Sequence, residues 1–212
     1  MAELGQPALL AEWTALLAQE DDLTCTVSDV LGRGAALGAD FRPVWPSAKF
    51  VGPAVTVRTL GSDLSAVFAG IEAAAPGSVL VSDSHGVRHS AFWGERTTRA
   101  ALARGLRGAV IDGACRDVRA ITALGFPVFS TGVTPNAGLR LGQGTIQEPV
   151  ALGGVPVLPG DLIVADDNGV VVVPQGRTEE TLRQVRAALQ AEAALRLPSP
   201  SAPFKEKSHD RI

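Results

Sequence analysis

The sequence predicts an α/β domain in which parallel βα units are followed by an antiparallel β addition. Two patterns carry this expectation. From Phe50 to Phe129, short apolar segments alternate with segments of helical periodicity, as strands buried on both faces do when crossover helices join them. After Gly132 the helical segments stop, and short apolar runs are separated by Gly, Pro and Asp-Asn-Gly signals, which connect neighbouring strands in hairpins. Composition agrees: 212 residues, 46% hydrophobic and 19% charged, suit one packed domain that needs no disulfide or zinc staples.

Taken in order, Pro7–Ala18 carries Leu9, Leu10, Trp13, Leu16 and Leu17 on one side and is expected to be an amphipathic helix. Thr26–Leu31 reads as a short second helix closed by Gly32. Phe50–Thr59 reads as a strand interrupted by Gly52-Pro53, and Leu64–Ala75 as a helix stopped by Pro76-Gly77. The alternation continues with a strand over Ser78–Val81, a helix over Ala91–Ala103, a strand over Gly108–Ile111, a helix over Val118–Leu124 and a strand over Pro127–Phe129. Ile146–Leu152, Val155–Leu158, Asp161–Ala165 and Gly169–Val173 are expected as the antiparallel strands, with Asp166-Asp167-Asn168-Gly169 as a hairpin turn. Thr178–Arg196 should form a closing helix. Residues 1–197 then make a single domain, and the Pro- and Ser-rich segment 198–212 a flexible tail.

Charge and length narrow the partners. A net charge of −3 offers no basic footprint, so nucleic acid is not expected. No apolar run approaches the roughly 20 residues that span a bilayer, so no membrane is expected either. Glu3 stands where an export signal favours a basic residue, which makes the expected location cytoplasmic. Cys25 and Cys115 are far apart and lack metal-site spacing. Of three lysines, Lys205 and Lys207 lie in the tail, leaving Lys49 as the sole candidate for imine chemistry.

The informative stretch is Ser82–Asp117, which holds two strand-to-helix junctions. Ligands of open α/β sheets gather at the carboxyl ends of strands. At the first junction, Gly94-Glu95-Arg96-Thr97 falls in the opening turns of a helix, where unpaired N–H groups and the helix dipole favour a carboxylate or phosphate. At the second, Ala109-Val110-Ile111 leads into Asp112-Gly113-Ala114-Cys115-Arg116-Asp117, placing a guanidinium beside a carboxylate. Plainer roles compete: Asp117 as a helix N-cap worth about 1 kcal/mol, Glu95 as a dipole-favoured first-turn acid, and Arg116 as a solvated charge. His85 and His89 read as polar loop residues rather than metal ligands.

Glu95, then twenty intervening residues, then Arg116-Asp117, resembles the acidic-x20-Arg-Asp signature of class II pyruvate aldolases. The flanks are similar to the family of 4-hydroxy-4-methyl-2-oxoglutarate aldolase and the regulator of ribonuclease E activity A: FVGPAVTVR at 50–58, PGSVLVSD at 76–83, FWGE at 92–95, RGLRGAVIDGACRDV at 104–118, LGFPVFSTGVTP at 124–135 and PGDLIVADDNGVVVVP at 159–174. The resemblance spans about residues 20 to 195. It implies a compact α/β/β sandwich, a homotrimer or hexamer, and active sites at subunit boundaries.

It also implies roles. Asp117 would ligate Mg²⁺ or Mn²⁺ directly, Glu95 would hold metal-bound water, and Arg116 would bind the 2-keto oxygen of a small 2-oxo acid substrate. Gly94 would let the substrate approach, and the amides of Arg96 and Thr97 would receive the pyruvate carboxylate. A glutamate from a neighbouring subunit's C-terminal helix would complete the site, with Glu192 the candidate by position. The implied reaction is cleavage of a 4-hydroxy-2-oxo diacid to pyruvate plus a 2-oxo acid, with oxaloacetate decarboxylation through the same enolate. Such an enolate needs an electron sink, either a lysine imine or a Lewis-acid metal, and the lysine count favours the metal. The alternative is a non-catalytic, protein-binding regulator of the ribonuclease E type. That relative lacks the acidic member of the signature, which Glu95 supplies here.

Overall fold

A computed structural model describes residues 6–195; the expected tail from Pro198 lies outside the described residues. In chain order the elements are α1 (Gln6–Gln19), α2 (Leu23–Val30), β1 (Arg42–Pro43), β2 (Phe50–Arg58), α3 (Ser65–Ala73), β3 (Val79–Trp93), α4 (Glu95–Ala103), β4 (Gly108–Cys115), α5 (Val118–Ala123), β5 (Val128–Val133), β6 (Thr145–Ile146), β7 (Val150–Leu152), β8 (Val155–Val157), β9 (Leu162–Asp166), β10 (Gly169–Val173) and α6 (Thr178–Leu195). Strands β2 to β5 pair in parallel, in the order β5-β4-β3-β2, through the crossover helices α3, α4 and α5. The antiparallel β9–β10 hairpin joins β2, and β7–β8 forms a separate two-stranded ribbon. Parallel units and an antiparallel addition are both present, and Asp166 to Gly169 is the expected hairpin turn.

Alternation along the strands sorts the apolar side chains into three interfaces. Leu80, Ile111, Phe126 and Val128 pack with α3, α4 and α5 on one face. Val79, Val81, Val110 and Phe129 face Ile163, Ala165, Val170 and Val172 of the hairpin, the buried space between two β layers. The hairpin's outer residues, Leu162, Val164, Val171 and Val173, are covered by Trp13, Leu16 and Leu17 of α1, Leu23 and Val27 of α2, and Leu182 and Val185 of α6. The implied α/β/β sandwich therefore carries a further helical layer outside its second β layer. Each fully buried large apolar side chain in these layers stabilises the fold by about 1.5–3 kcal/mol. Among the described residues no helix is long and apolar enough to cross a membrane.

Several expected boundaries move. Gly52-Pro53 does not interrupt β2. Residues 50–53 pair with β9 and residues 54–58 with β3, so Pro53 sits where the strand changes partners. Gly52 is required there because a Cβ would lie 2.4 Å from the Gly77 carbonyl oxygen. Ala91–Trp93 is strand rather than helix. Through three register shifts β3 continues past Asp83, and Ala91 and Trp93 pair with Ala114 and Cys115. Ile146–Leu152 divides between β6 on β2 and β7 on β8, and α2 begins three residues earlier than expected, at Leu23.

Candidate active site

The extension of β3 positions the site. Its last residue, Trp93, is buried, stacks on Phe126 with ring centroids 5.7 Å apart, and donates from Nε1 to Thr98 Oγ1 at 2.8 Å. The carbonyl of Trp93 accepts the N–H of Arg116 at 2.9 Å. The ends of β3 and β4 are thus tied at the residues where both turn into helices. At the first turn, Gly94 N–H donates to Thr97 Oγ1 at 2.8 Å and that hydroxyl donates back to Gly94 O at 2.9 Å, closing the start of α4.

Asp117 precedes α5 but does not cap it with its side chain. Its backbone is left-handed, φ 57° and ψ 37°, and no side-chain bond reaches the helix behind it. A left-handed L-residue costs on the order of 1–2 kcal/mol. The conformation turns the carboxylate across to the other junction, where Oδ2 accepts the N–H of Glu95 at 3.0 Å and lies 3.5 Å from Arg116 Nε. Gly94 makes room for this: a Cβ there would lie 2.7 Å from Asp117 Oδ2 and 3.1 Å from Arg116 Cγ. With Glu95 N–H occupied, the next amides of α4, those of Arg96 and Thr97, meet no acceptor among the described residues, as expected of a helix N-terminus.

These groups open onto one cavity of about 180 Å³, lined by Gly94, Arg96, Thr97, Arg116 and Asp117 among others. Five of the predicted site residues therefore meet. Glu95 stands beside them with its carboxylate on Arg99, at 2.8 Å from Nη2 and 2.9 Å from Nε. Glu192 lies elsewhere, exposed on the last turn of α6 in the outer helical layer. Lys49 precedes the amino end of β2, opposite the carboxyl ends that carry the site, and its Nζ lies 3.5 Å from Asp21. His85 contacts Asp83 at 3.3 Å, and His89 contacts Ser62 at 3.2 Å. Burial, and then the nearby charge of Asp83, raise the pKa of Asp112, whose carboxyl lies outside the cavity lining.

Arg140 is the site residue that sequence reasoning missed. It lines the cavity from the loop 134–144, with Cζ 3.8 Å above the ring of Phe68 on α3, close enough for a cation–π attraction. No carboxylate among the described residues pairs with it. Arg96, Arg116 and Arg140 against Asp117 make the cavity anion-seeking. The sequence signal was slight, an Arg between two Leu in a Gly-rich loop.

The donor set fits a hard divalent cation. Of the Asp117 oxygens only Oδ2 is engaged, while Oδ1 has no partner among the described residues. Those residues hold no group of three His, Cys, Asp or Glu that would enclose an ion. Mg²⁺ is commonly held by one or two carboxylates, with water and substrate oxygens completing the shell, and one free carboxylate oxygen beside an arginine-lined cavity suits that arrangement.

A family model described as RraA-like, Aldolase/RraA, matches residues 24–172. A Halalkalibacterium halodurans protein, provisionally named a 4-hydroxy-4-methyl-2-oxoglutarate aldolase, is 40% identical over 163 residues, covering 77% of this chain and 78% of the relative. The 4-hydroxy-4-methyl-2-oxoglutarate aldolase of Thermus thermophilus is 30% identical over 152 residues, covering 72% of this chain and 92% of the relative. In three dimensions the chain is similar to Streptomyces coelicolor RraAS2, described as an unusual member of the RNase ES inhibitor RraA protein family. The TM-score is 0.78 at 30% identity, covering 93% of this chain and all of that one.

Proposed function

The chain belongs to the Aldolase/RraA family, and from that membership and the site geometry we propose that it is a divalent-metal-dependent lyase. It cleaves 4-hydroxy-2-oxo diacids, such as 4-hydroxy-4-methyl-2-oxoglutarate, to pyruvate plus a 2-oxo acid. The observation that carries this reading is the left-handed Asp117, whose strained backbone holds its carboxylate beside Arg116 at an anion-binding cavity instead of capping α5.

The residues divide the work by position. The amides of Arg96 and Thr97 receive the substrate's C1 carboxylate at the positive end of α4. Arg116 donates to the 2-keto oxygen, where negative charge develops as the C3–C4 bond breaks; stabilisation there acts most strongly in the transition state. The C4 hydroxyl proton passes to water held at Glu95, the C3–C4 bonding pair moves to C3 and the 2-keto oxygen, and the same water returns a proton to C3 to give pyruvate. In oxaloacetate the same electron flow expels carbon dioxide. Asp117 would hold Mg²⁺ or Mn²⁺, which would supply Lewis-acid polarisation of the keto group. Glu95 would hold water there once its carboxylate leaves Arg99. Arg140 faces the distal carboxylate of a diacid.

Glu192 cannot serve the site of its own chain, being in the outer layer, so its assignment is to a neighbouring subunit of a trimer or of paired trimers. The exposure of the whole last turn of α6, with Leu195 77% exposed, supports a helix end that reaches another copy. The test is pyruvate release, coupled to lactate dehydrogenase, from 4-hydroxy-4-methyl-2-oxoglutarate and from oxaloacetate, with Mg²⁺, with EDTA and with Asp117→Ala. Metal-dependent turnover lost in the variant is expected. Folded, metal-loaded protein inert on both acids would leave the ribonuclease-binding regulator as the better reading.

A further inference from the structure

Asp63 is the most heavily bonded carboxylate near the cavity, yet it is not among the residues that line it. It is 1% exposed, and both of its oxygens are spent on backbone N–H groups. Oδ1 accepts Ser65 N–H at 2.8 Å, at the start of α3, while Oδ2 accepts Leu141 N–H at 3.0 Å and Gln143 N–H at 2.8 Å from the loop 134–144. Burial works against its ionisation, but these bonds win and lower its pKa to about 2.

The same loop is stitched down on both sides of Asp63. Leu139 N–H donates to Ser62 O at 2.8 Å, Leu64 N–H to Leu139 O at 2.9 Å, and Gly142 N–H to Ser65 Oγ at 2.9 Å. Its other margin is tied to β3, where Ala91 N–H donates to Asn136 O at 2.8 Å and Gly138 N–H to Ala91 O at 3.0 Å. Arg140 lies between two residues, Leu139 and Leu141, whose amides are both held. Their side chains are 53% and 63% exposed while Arg140 lines the cavity, the alternation expected of a short extended segment. Phe68, the seat of the guanidinium, belongs to α3, the helix whose first turn Asp63 also fixes.

We propose that Asp63 is a positioning residue for substrate specificity: its carboxylate latches the loop 134–144 to the start of α3 and so holds Arg140 over Phe68, where it reads the second carboxylate of a diacid. The inference rests on the lyase reading above, but it concerns only the distal half of the substrate. Binding and deprotonation of pyruvate itself, which has no second carboxylate, do not require the latch.

That separation supplies the test. Steady-state cleavage of 4-hydroxy-4-methyl-2-oxoglutarate is measured beside exchange of the pyruvate methyl protons with deuterium, followed by NMR. Asp63→Asn is expected to raise KM for the diacid about tenfold, with pyruvate exchange within about twofold of the parent. Ser65→Ala removes the Gly142 tie and a side-chain bond to Asp63 while leaving the Asp63 carboxylate in place, and is expected to shift KM in the same direction by about threefold, which keeps the inference testable if Asp63→Asn folds poorly. In Asp63→Asn combined with Arg140→Met, KM should match that of Arg140→Met alone, because the latch then has nothing left to position. Equal losses of cleavage and exchange in Asp63→Asn and Ser65→Ala, or additive effects in the double variant, would overturn the proposal. A parent protein that neither cleaves the diacid nor exchanges pyruvate protons would remove the lyase reading, and this inference with it.

Discussion

The carboxylate of Asp117 caps the wrong helix. It stands at the head of α5, yet its Oδ2 accepts the N–H of Glu95 at the head of α4, 3.0 Å away and twenty-two positions earlier. One bond thereby joins the two strand-to-helix junctions and sets Asp117 beside Arg116. Asp117→Gly separates the two things this residue does. Glycine relieves the left-handed strain but loses the bond to Glu95, so stability should stay within about 1 kcal/mol of the parent. Pyruvate release should nonetheless disappear. Thermal unfolding and the coupled assay on one preparation check both.

In the proposed reaction Arg116 stabilises the charge that develops on the 2-keto oxygen. Arg116→Ala should lower kcat/KM for cleavage by about 10²–10³-fold, the usual cost of one such donor. The side chain is partly exposed, so the unfolding midpoint should hardly move. Undiminished turnover in a folded Arg116→Ala protein would refute the assignment.

Gly94→Ala tests the close approach at the first junction. The new methyl would lie 2.7 Å from Asp117 Oδ2, displacing the carboxylate and the arginine together. A loss of about 1–3 kcal/mol in stability is expected from overpacking, with a larger proportional loss of activity. A crystal structure of the variant would show Asp117 moved away from Glu95 N–H.

How much of this was readable in the chain follows from where the signals are local. Arg116 and Asp117 stand directly after an apolar strand, so one short segment carries both the secondary structure and the chemistry. The end of β3 was harder, because Ala91-Phe92-Trp93 suits a buried helix as well as a buried strand. Only its pairing with Ala114 and Cys115 decides. Arg140 was missed for a related reason. Its seat, Phe68, is seventy-two positions away, and the loop that carries it has no periodicity; the long-range bonds to Asp63 give it shape. The outer helical layer likewise arises from packing on the hairpin's far face, which adds no pattern to α1 or α6 beyond ordinary amphipathicity.

Asp63 predicts an acid-side signature. Its pKa in the folded chain, about 2, lies below the ordinary 3.8, so its contribution is fully present above about pH 4 and is lost as pH falls through 2. The contribution amounts to about 2 kcal/mol. Asp63→Asn should therefore be less stable at neutral pH, and its stability should fall less steeply between pH 4 and 2. Denaturant unfolding of both proteins at a series of pH values measures the difference in slope.

A site shared between subunits, as proposed, predicts complementation. If Glu192 serves a neighbouring subunit, Asp117→Ala and Glu192→Gln proteins should each be inactive, and subunits exchanged at a one-to-one ratio should regain about a quarter of the parent activity. That fraction is the chance that a site draws an intact residue from each contributor. No recovery after verified exchange would remove Glu192 from the site.

Strand β2 belongs to both β layers, its first half paired with β9 and its second with β3. No line can therefore be drawn through the molecule that parts the two layers without cutting a continuous backbone at Gly52-Pro53. The sheet end that carries the candidate site and the hairpin beneath α1 and α6 therefore share one strand. The Arg186–Glu12 pair, at 2.7 Å, ties those two helices together over the hairpin that β2 joins to the parallel sheet.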